Sequence, residues 1–126
     1  MQTKLSLFSL ALITSFSSVI TPSCAVELGF MGEERNIIDV EYYEWLDGMI
    51  TDDTENVWIV NFYIETCPYC KAFAPMFVET ANLCADNGVR NIKFAKINVA
   101  NERYLTYING VKSVPSVKGF ARDKQK

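Results

Sequence analysis

The sequence predicts a single α/β domain, and three observations carry that reading. Val57 to Ile64 is an almost wholly apolar run rich in β-branched and aromatic residues, which suits a central strand covered on both faces. Pro68 to Asp86 switches to helical periodicity. Strand-like and helix-like segments then alternate to the end of the chain.

Element by element, Asn36–Val40 reads as a short strand. Glu41–Ile50 reads as a helix with Tyr43, Leu46 and Ile50 on one face, and Thr51–Asn56 as a polar turn. The strand Val57–Ile64 leads into the long helix Pro68–Asp86. There Cys70, Phe73, Phe77, Thr80 and Cys84 form an apolar stripe that Ala74 and Ala81 widen. Asn87-Gly88 stops that helix. Ile92–Val99 is the next strand, Asn101–Ile108 a short helix closed by Asn109-Gly110, and Val114–Phe120 a final strand.

The 126 residues make one domain of ordinary charged fraction, with about half the residues apolar. Acidic and basic residues are interspersed around a net charge of −3, which gives no sign of nucleic-acid binding. The chain has no histidine, so its chemistry must use thiols, carboxylates, lysines or backbone groups.

Residues 1–25 are expected to be a cleaved signal peptide rather than part of the domain. Lys4 supplies the positive start, Leu5 to Ile20 carries no charge, and Ser23-Cys24-Ala25 offers a small-residue cleavage site. The alternatives are an uncleaved anchor, for which the apolar run is short, and a lipoprotein cysteine at Cys24, for which Thr21-Pro22-Ser23 lacks the expected apolar residue. Cleavage after Ala25 removes one positive charge (Lys4) and one cysteine (Cys24), leaving residues 26–126 with a net charge of −4 and three cysteines. The expected compartment is the secretory pathway, either the endoplasmic reticulum lumen or the exterior, where disulfide chemistry operates. Val26–Arg35 reads as a mobile lead-in to the domain.

The chemistry-bearing motif is Cys67-Pro68-Tyr69-Cys70, which follows the central strand and opens the long helix. At a helix N-terminus a thiolate faces unpaired backbone N–H groups and the positive end of the dipole, which lower its pKa. Pro68 fits the first turn because its missing N–H would be unpaired there anyway. Cys70 falls on the apolar stripe and Cys67 at the helix mouth, so Cys67 is expected to attack and Cys70 to resolve. Zinc needs about four ligands, and neither histidine nor a second Cys-x-x-Cys is present to complete a site. An inert structural disulfide would not need the strand–motif–helix setting. No cofactor is called for.

These residues resemble the thioredoxin superfamily, especially the catalytic domains of protein disulfide isomerases. The resemblance rests on Val57–Lys71, Ala72-Phe73-Ala74-Pro75, Phe94–Asn98 and Val114-Pro115. It implies a thioredoxin-like fold, a central mixed sheet flanked by helices. It also implies a redox-active Cys67–Cys70 disulfide, a helix-kinking Pro75 and a cis-proline at Pro115 beside the pair. Substrate contacts would come from Val114, Pro115, Pro68 and Tyr69, and the partners would be thiol- or disulfide-containing proteins together with a recycling oxidant or reductant. The expected activity is thiol–disulfide exchange, as an oxidoreductase or isomerase. The alternative is a peptide-binding or chaperone-like module with little turnover.

Three departures stand out. Pro68-Tyr69 is glutaredoxin-like, Thr66 replaces the usual tryptophan, and Asn61 occupies the position of the family's buried acid. Asn61 and Lys96 are the residues expected to tune the thiols. For Lys96 the competing expectation is a side chain that snorkels to solvent. Cys84 lies 14 residues beyond Cys70, about 21 Å along a helix rising ~1.5 Å per residue. It therefore cannot pair with the redox cysteines and is expected to be a buried core thiol or, failing that, an intermolecular one. The family continues past the cis-proline strand with one more strand and a helix. Residues 26–126 are therefore expected to be incomplete at their C-terminal end.

Overall fold

The computed structural model describes residues 34–121. The expected signal peptide and the charged tail after Ala121 lie outside the described residues. Seven elements follow in the order β1 (Ile37–Asp39), α1 (Tyr42–Leu46), β2 (Val57–Tyr63), α2 (Pro68–Asp86), β3 (Ile92–Asn98), α3 (Arg103–Ile108) and β4 (Ser116–Phe120). This is the α/β alternation the sequence predicts, and α2 has the expected limits.

The four strands form one mixed sheet in the order β1-β3-β2-β4. β2 and β3 run parallel, with Val60 opposite Ala95 and Asn61 opposite Lys96. β1 joins β3 in parallel, and β4 joins β2 antiparallel, with Asn61 opposite Val117. Side chains alternate across a strand, so this register divides the core in two. Val60, Phe62, Ala95 and Ile97 pack with Val40, Trp45, Ile50, Trp58 and Leu105 on the α1/α3 face. Phe94, with Ile59 and Ile92, packs on the other face against Ala74, Phe77, Val78 and Ala81 of α2. Burial of β2 on both faces explains its unbroken apolar run.

Two helical expectations need correction. α1 ends at Leu46 rather than Ile50, because Gly48 takes φ +78 and turns the chain, its N–H bonding to the Trp45 carbonyl at 3.1 Å. A Cβ there would come within 2.3 Å of the Asp52 carboxylate, so the turn requires glycine. The helix consequently buries Trp45, whose ring meets Phe120 edge-on at 5.3 Å, and leaves Tyr43 exposed. On α2 the buried face is Cys70, Ala74, Phe77, Val78 and Ala81. Thr80, expected in the stripe, points to solvent and donates its hydroxyl to the Met76 carbonyl at 2.7 Å. The small alanines decide this: they let α2 approach β3 closely, with Phe77 meeting Phe94 at 5.6 Å between ring centroids.

Candidate active site

Cys67 is the N-cap of α2 and Pro68 occupies the first turn. The Cys67 Sγ takes the place that a serine or aspartate oxygen usually fills at an N-cap, accepting the Cys70 amide at 3.4 Å. The Cys67 amide in turn donates to the Ile64 carbonyl at 3.2 Å, which anchors the motif to the end of β2. Both cysteines are free thiols in this structure. Cys70 is buried, as its place on the inner face of α2 requires, whereas Cys67 is half-buried.

The electrostatics are asymmetric in the direction that the positions demand. The Cys70 backbone amide, then the Cys70 thiol, stabilise charge on Cys67 and hold its pKa below the ordinary thiol value. Burial pushes the Cys70 thiol up, only partly offset by a backbone contact at Ile64. The thiol at the helix mouth is therefore the readily ionised one.

The Val114–Pro115 peptide is cis. The loop before β4 brings the Val114 carbonyl to the Cys67 Sγ, whose thiol donates to it at 3.9 Å. Val114 and Pro115 lie just outside β4, which begins at Ser116 rather than at Val114. Tyr69, between the cysteines, is 78% exposed.

A family model described as Thioredoxin matches residues 40–126. The chain belongs to the thioredoxin family. Among its thioredoxin-family relatives, protein disulfide-isomerase A6 of Mus musculus is 29% identical over 70 residues, 56% of this chain and 16% of that protein. A protein disulfide-isomerase of Schizosaccharomyces pombe is 31% identical over 88 residues, 70% of this chain and 23% of that protein. The chain thus spans less than a quarter of the length of either relative. Among solved structures, the J-Trx1 fragment of ERdj5 superposes with a TM-score of 0.61 at 27% identity, covering 73% of this chain and 42% of that one. A variant thioredoxin from Halobacterium salinarum gives 0.55 at 26% identity, covering 68% and 69%.

The thioredoxin-family sheet places the two expected tuning residues side by side, since Asn61 and Lys96 are register partners on the α2-facing side. Both are buried, Asn61 to 1% exposure and Lys96 to 5%. Lys96 does not snorkel. Its ammonium donates to Glu34 at 2.5 Å, lies 3.4 Å from Asp39 and sits 5.6 Å from the centroid of the Tyr63 ring. Burial alone would lower its pKa, but the Glu34 bond and the fields of Tyr63 and Asp39 outweigh it and the pKa rises. Its charge is thus committed to this cluster and does not figure among the causes of either cysteine shift.

Sequence reasoning missed three members of that cluster. Asp39 is the register partner of Lys96 on β1, so pairing the strands would have found it. Tyr63 follows Asn61 by two positions on the same face of β2. Glu34 had no such signal. It belongs to the segment expected to be mobile, yet it is held by Lys96, and its neighbours Arg35 and Asn36 bond to Asn82 on α2 at 3.5 and 2.7 Å. Cys84 is a half-buried free thiol packed against the α2-side core, not a fully buried one.

Proposed function

We propose that this chain is a protein thiol–disulfide oxidoreductase of the protein disulfide isomerase type, acting through Cys67 and Cys70. The observation that carries the reading is the split between the cysteines: a lowered thiol at the α2 N-cap and a raised, buried one three residues on. The Cys67 thiolate attacks a substrate disulfide, forms a mixed disulfide and releases one substrate thiolate. Cys70 then loses its proton and attacks the Cys67 sulfur, releasing the second substrate thiolate and leaving a Cys67–Cys70 disulfide. Two electrons pass from the protein to the substrate; the reverse sequence oxidises a substrate dithiol.

Val114 and Pro115 are assigned to the substrate backbone, with the Val114 carbonyl already at the attacking sulfur. Pro68 and Tyr69 form the exposed lip of the site. Residues 1–25 are assigned as the signal that delivers residues 26–126 to the secretory pathway, in the endoplasmic reticulum lumen or outside the cell. The substrates are thiol- or disulfide-containing proteins, with an oxidant or reductant of that compartment recycling the pair.

A second reading is a peptide-binding module with little turnover. It is favoured by Asn61, buried and neutral where the family carries an acid able to take the Cys70 proton. Reactivation of scrambled ribonuclease separates the two. Recovery of nuclease activity that depends on both Cys67 and Cys70 supports the enzyme; binding of the ribonuclease without reactivation supports the module.

A further inference from the structure

The C-terminal end of α2 borders a cavity that the redox chemistry does not use. β3 begins at Ile92, but its register with β1 starts only where Ile37 stands opposite Phe94. Before Ile37 the chain turns, the Ile37 amide donating to the Glu34 carbonyl at 3.0 Å. The turn carries Asn36 and Arg35 across to α2, where both donate to the Asn82 side chain, at 2.7 and 3.5 Å. The wall that α2 offers to the gap is Ala81 and Ala85, side chains too short to fill it. A cavity of about 420 Å³ results, with Ile92 and Phe94 of β3 on its apolar floor.

Every charged residue that lines this cavity is basic: Arg35, Arg90 and Lys93. The chain as a whole is acidic, with a net charge of −3, so the cavity reverses the sign locally. Asp86 offsets part of the reversal from outside the lining, its carboxylate 3.6 Å from the Arg35 guanidinium. Among the described residues neither Arg90 nor Lys93 has an acidic partner, and both are exposed.

We propose that this cavity binds a small amphipathic anion: an apolar or aromatic body that carries one carboxylate, sulfonate or phosphate group. The proposal is independent of the oxidoreductase reading. Ala81 lies 14 residues beyond Cys67, about 21 Å along α2, so the ligand touches neither thiol.

Three features select that ligand. The volume falls within the range of about 300–1,000 Å³ typical of pockets that enclose small organic molecules. The apolar floor favours a hydrocarbon or aromatic body, because covering it removes apolar surface from water. The guanidinium groups of Arg35 and Arg90 stay charged at any working pH, and their planar donors match the paired oxygens of such an acid. An inorganic anion would leave the floor uncovered. An uncharged hydrocarbon would leave Arg90 and Lys93 without a counter-charge. One molecule with both parts answers both.

The test uses the full chain with anilinonaphthalene sulfonate, its uncharged relative N-phenylnaphthylamine, decanoate and inorganic phosphate. Fluorescence titration should show one sulfonate dye bound per chain, about tenfold more tightly than the uncharged dye. Decanoate should displace it, and phosphate at the same concentration should not. Arg90→Glu/Lys93→Glu should weaken the sulfonate dye about tenfold and leave the uncharged dye unchanged. Arg90→Lys/Lys93→Arg, which keeps both charges, should stay close to the parent. Ala85→Phe, which fills the cavity without altering charge, should weaken both dyes. Alkylation of Cys67 should proceed at the parent rate in every variant, which also shows that each is folded. Unchanged affinity for the sulfonate dye in the glutamate pair or in Ala85→Phe overturns the site. Equal affinity of the parent for the two dyes overturns the anion and leaves only an apolar surface. Displacement by phosphatidylglycerol vesicles but not by decanoate also overturns the proposal, because the cations would then meet a membrane surface. So does a dimeric parent that excludes the dye, because a second copy would then fill the cavity.

Discussion

The Cys67 thiol meets the Val114 carbonyl oxygen at 3.9 Å, across 47 residues of chain. One end of that contact is set by the N-terminus of α2 and the other by the loop that enters β4 beside β2. The thiol at the mouth of α2 and a backbone carbonyl before β4 are thereby held together by the pairing of β4 with the central strand.

Of the two motif cysteines, only Cys67 should be alkylated near neutral pH. The backbone amide of Cys70 lowers the Cys67 pKa from the ordinary thiol value, whereas burial raises that of Cys70. The rate of iodoacetamide reaction at the motif against pH should therefore rise through a midpoint below that of the same cysteine in the unfolded protein, with the motif's label on Cys67 by mass spectrometry. In Cys70→Ala the midpoint should move up only in part, because the largest contribution comes from the Cys70 backbone amide, which alanine keeps. A midpoint at or above that of the unfolded protein would refute the N-cap account.

Cys70→Ala should accumulate mixed disulfides through Cys67, and Cys67→Ala should not. The reason is the place of Cys67, half-buried at the helix mouth, against that of Cys70 on the buried inner face. Non-reducing electrophoresis after reaction with a disulfide-containing protein reads the result; equal trapping by both variants would reverse the assignment.

Asn61→Asp should speed resolution of the mixed disulfide. A buried carboxylate can take the proton that Cys70 holds tightly, which the amide cannot. The same change puts an acid beside Lys96, its register partner, in competition with Glu34. Stopped-flow resolution rates should rise, and stability should change in either direction by no more than a few kcal/mol. Unchanged resolution rates would remove Asn61 from the list of tuning residues.

The Lys96–Glu34 pair should behave as a buried unit. Its side chains are 7% and 15% exposed. Glu34→Leu alone leaves a buried ammonium beside the more exposed Asp39 and should cost about 3 kcal/mol, read from urea midpoints. Glu34→Leu/Lys96→Met should recover most of that loss, since an apolar replacement of both partners removes the orphaned charge. Because the folded Lys96 pKa is raised, its stabilising contribution is complete below about 10.4 and fades as pH climbs through the folded value. Additive single and double effects would show that the two residues are not coupled.

Asp53 should make the fold acid-sensitive. Its carboxylate accepts the Trp58 indole N–H and the Asn56 side-chain amide, both at 2.8 Å, and the backbone N–H groups of Glu55 and Asn56. The Asn56 side chain is the largest of these influences, and together they hold its pKa far below the usual carboxylate value. A depressed carboxylate stabilises the fold above its unfolded pKa of about 3.9 and loses that contribution as pH falls below it. Urea midpoints followed by tryptophan fluorescence should drop below pH 4, and Asp53→Asn should flatten that drop. A parallel slope in the variant would exclude Asp53 as its source.

How much was legible in the sequence depended on whether the signal was local. The central strand, the long helix and the Cys67–Cys70 pair at its start were determined by the sequence alone, because periodicity, a proline in the first turn and cysteine spacing act over one or two turns of chain. The limits of α1 were also local, but the positive-φ glycine that ends it lay inside an otherwise helical pattern. Thr80 was misplaced because the 3–4 spacing on α2 describes two adjacent faces, and only packing on β3 chooses between them. The commitment of Lys96 to Glu34 and Asp39 was decided by the tertiary structure, through strand register and a segment 62 residues away. The same holds for the approach of Val114 to Cys67. The physical reason is common to both: burying a charge or ionising a thiol depends on which groups the sheet brings within a few ångströms, and sequence separation carries no record of that distance.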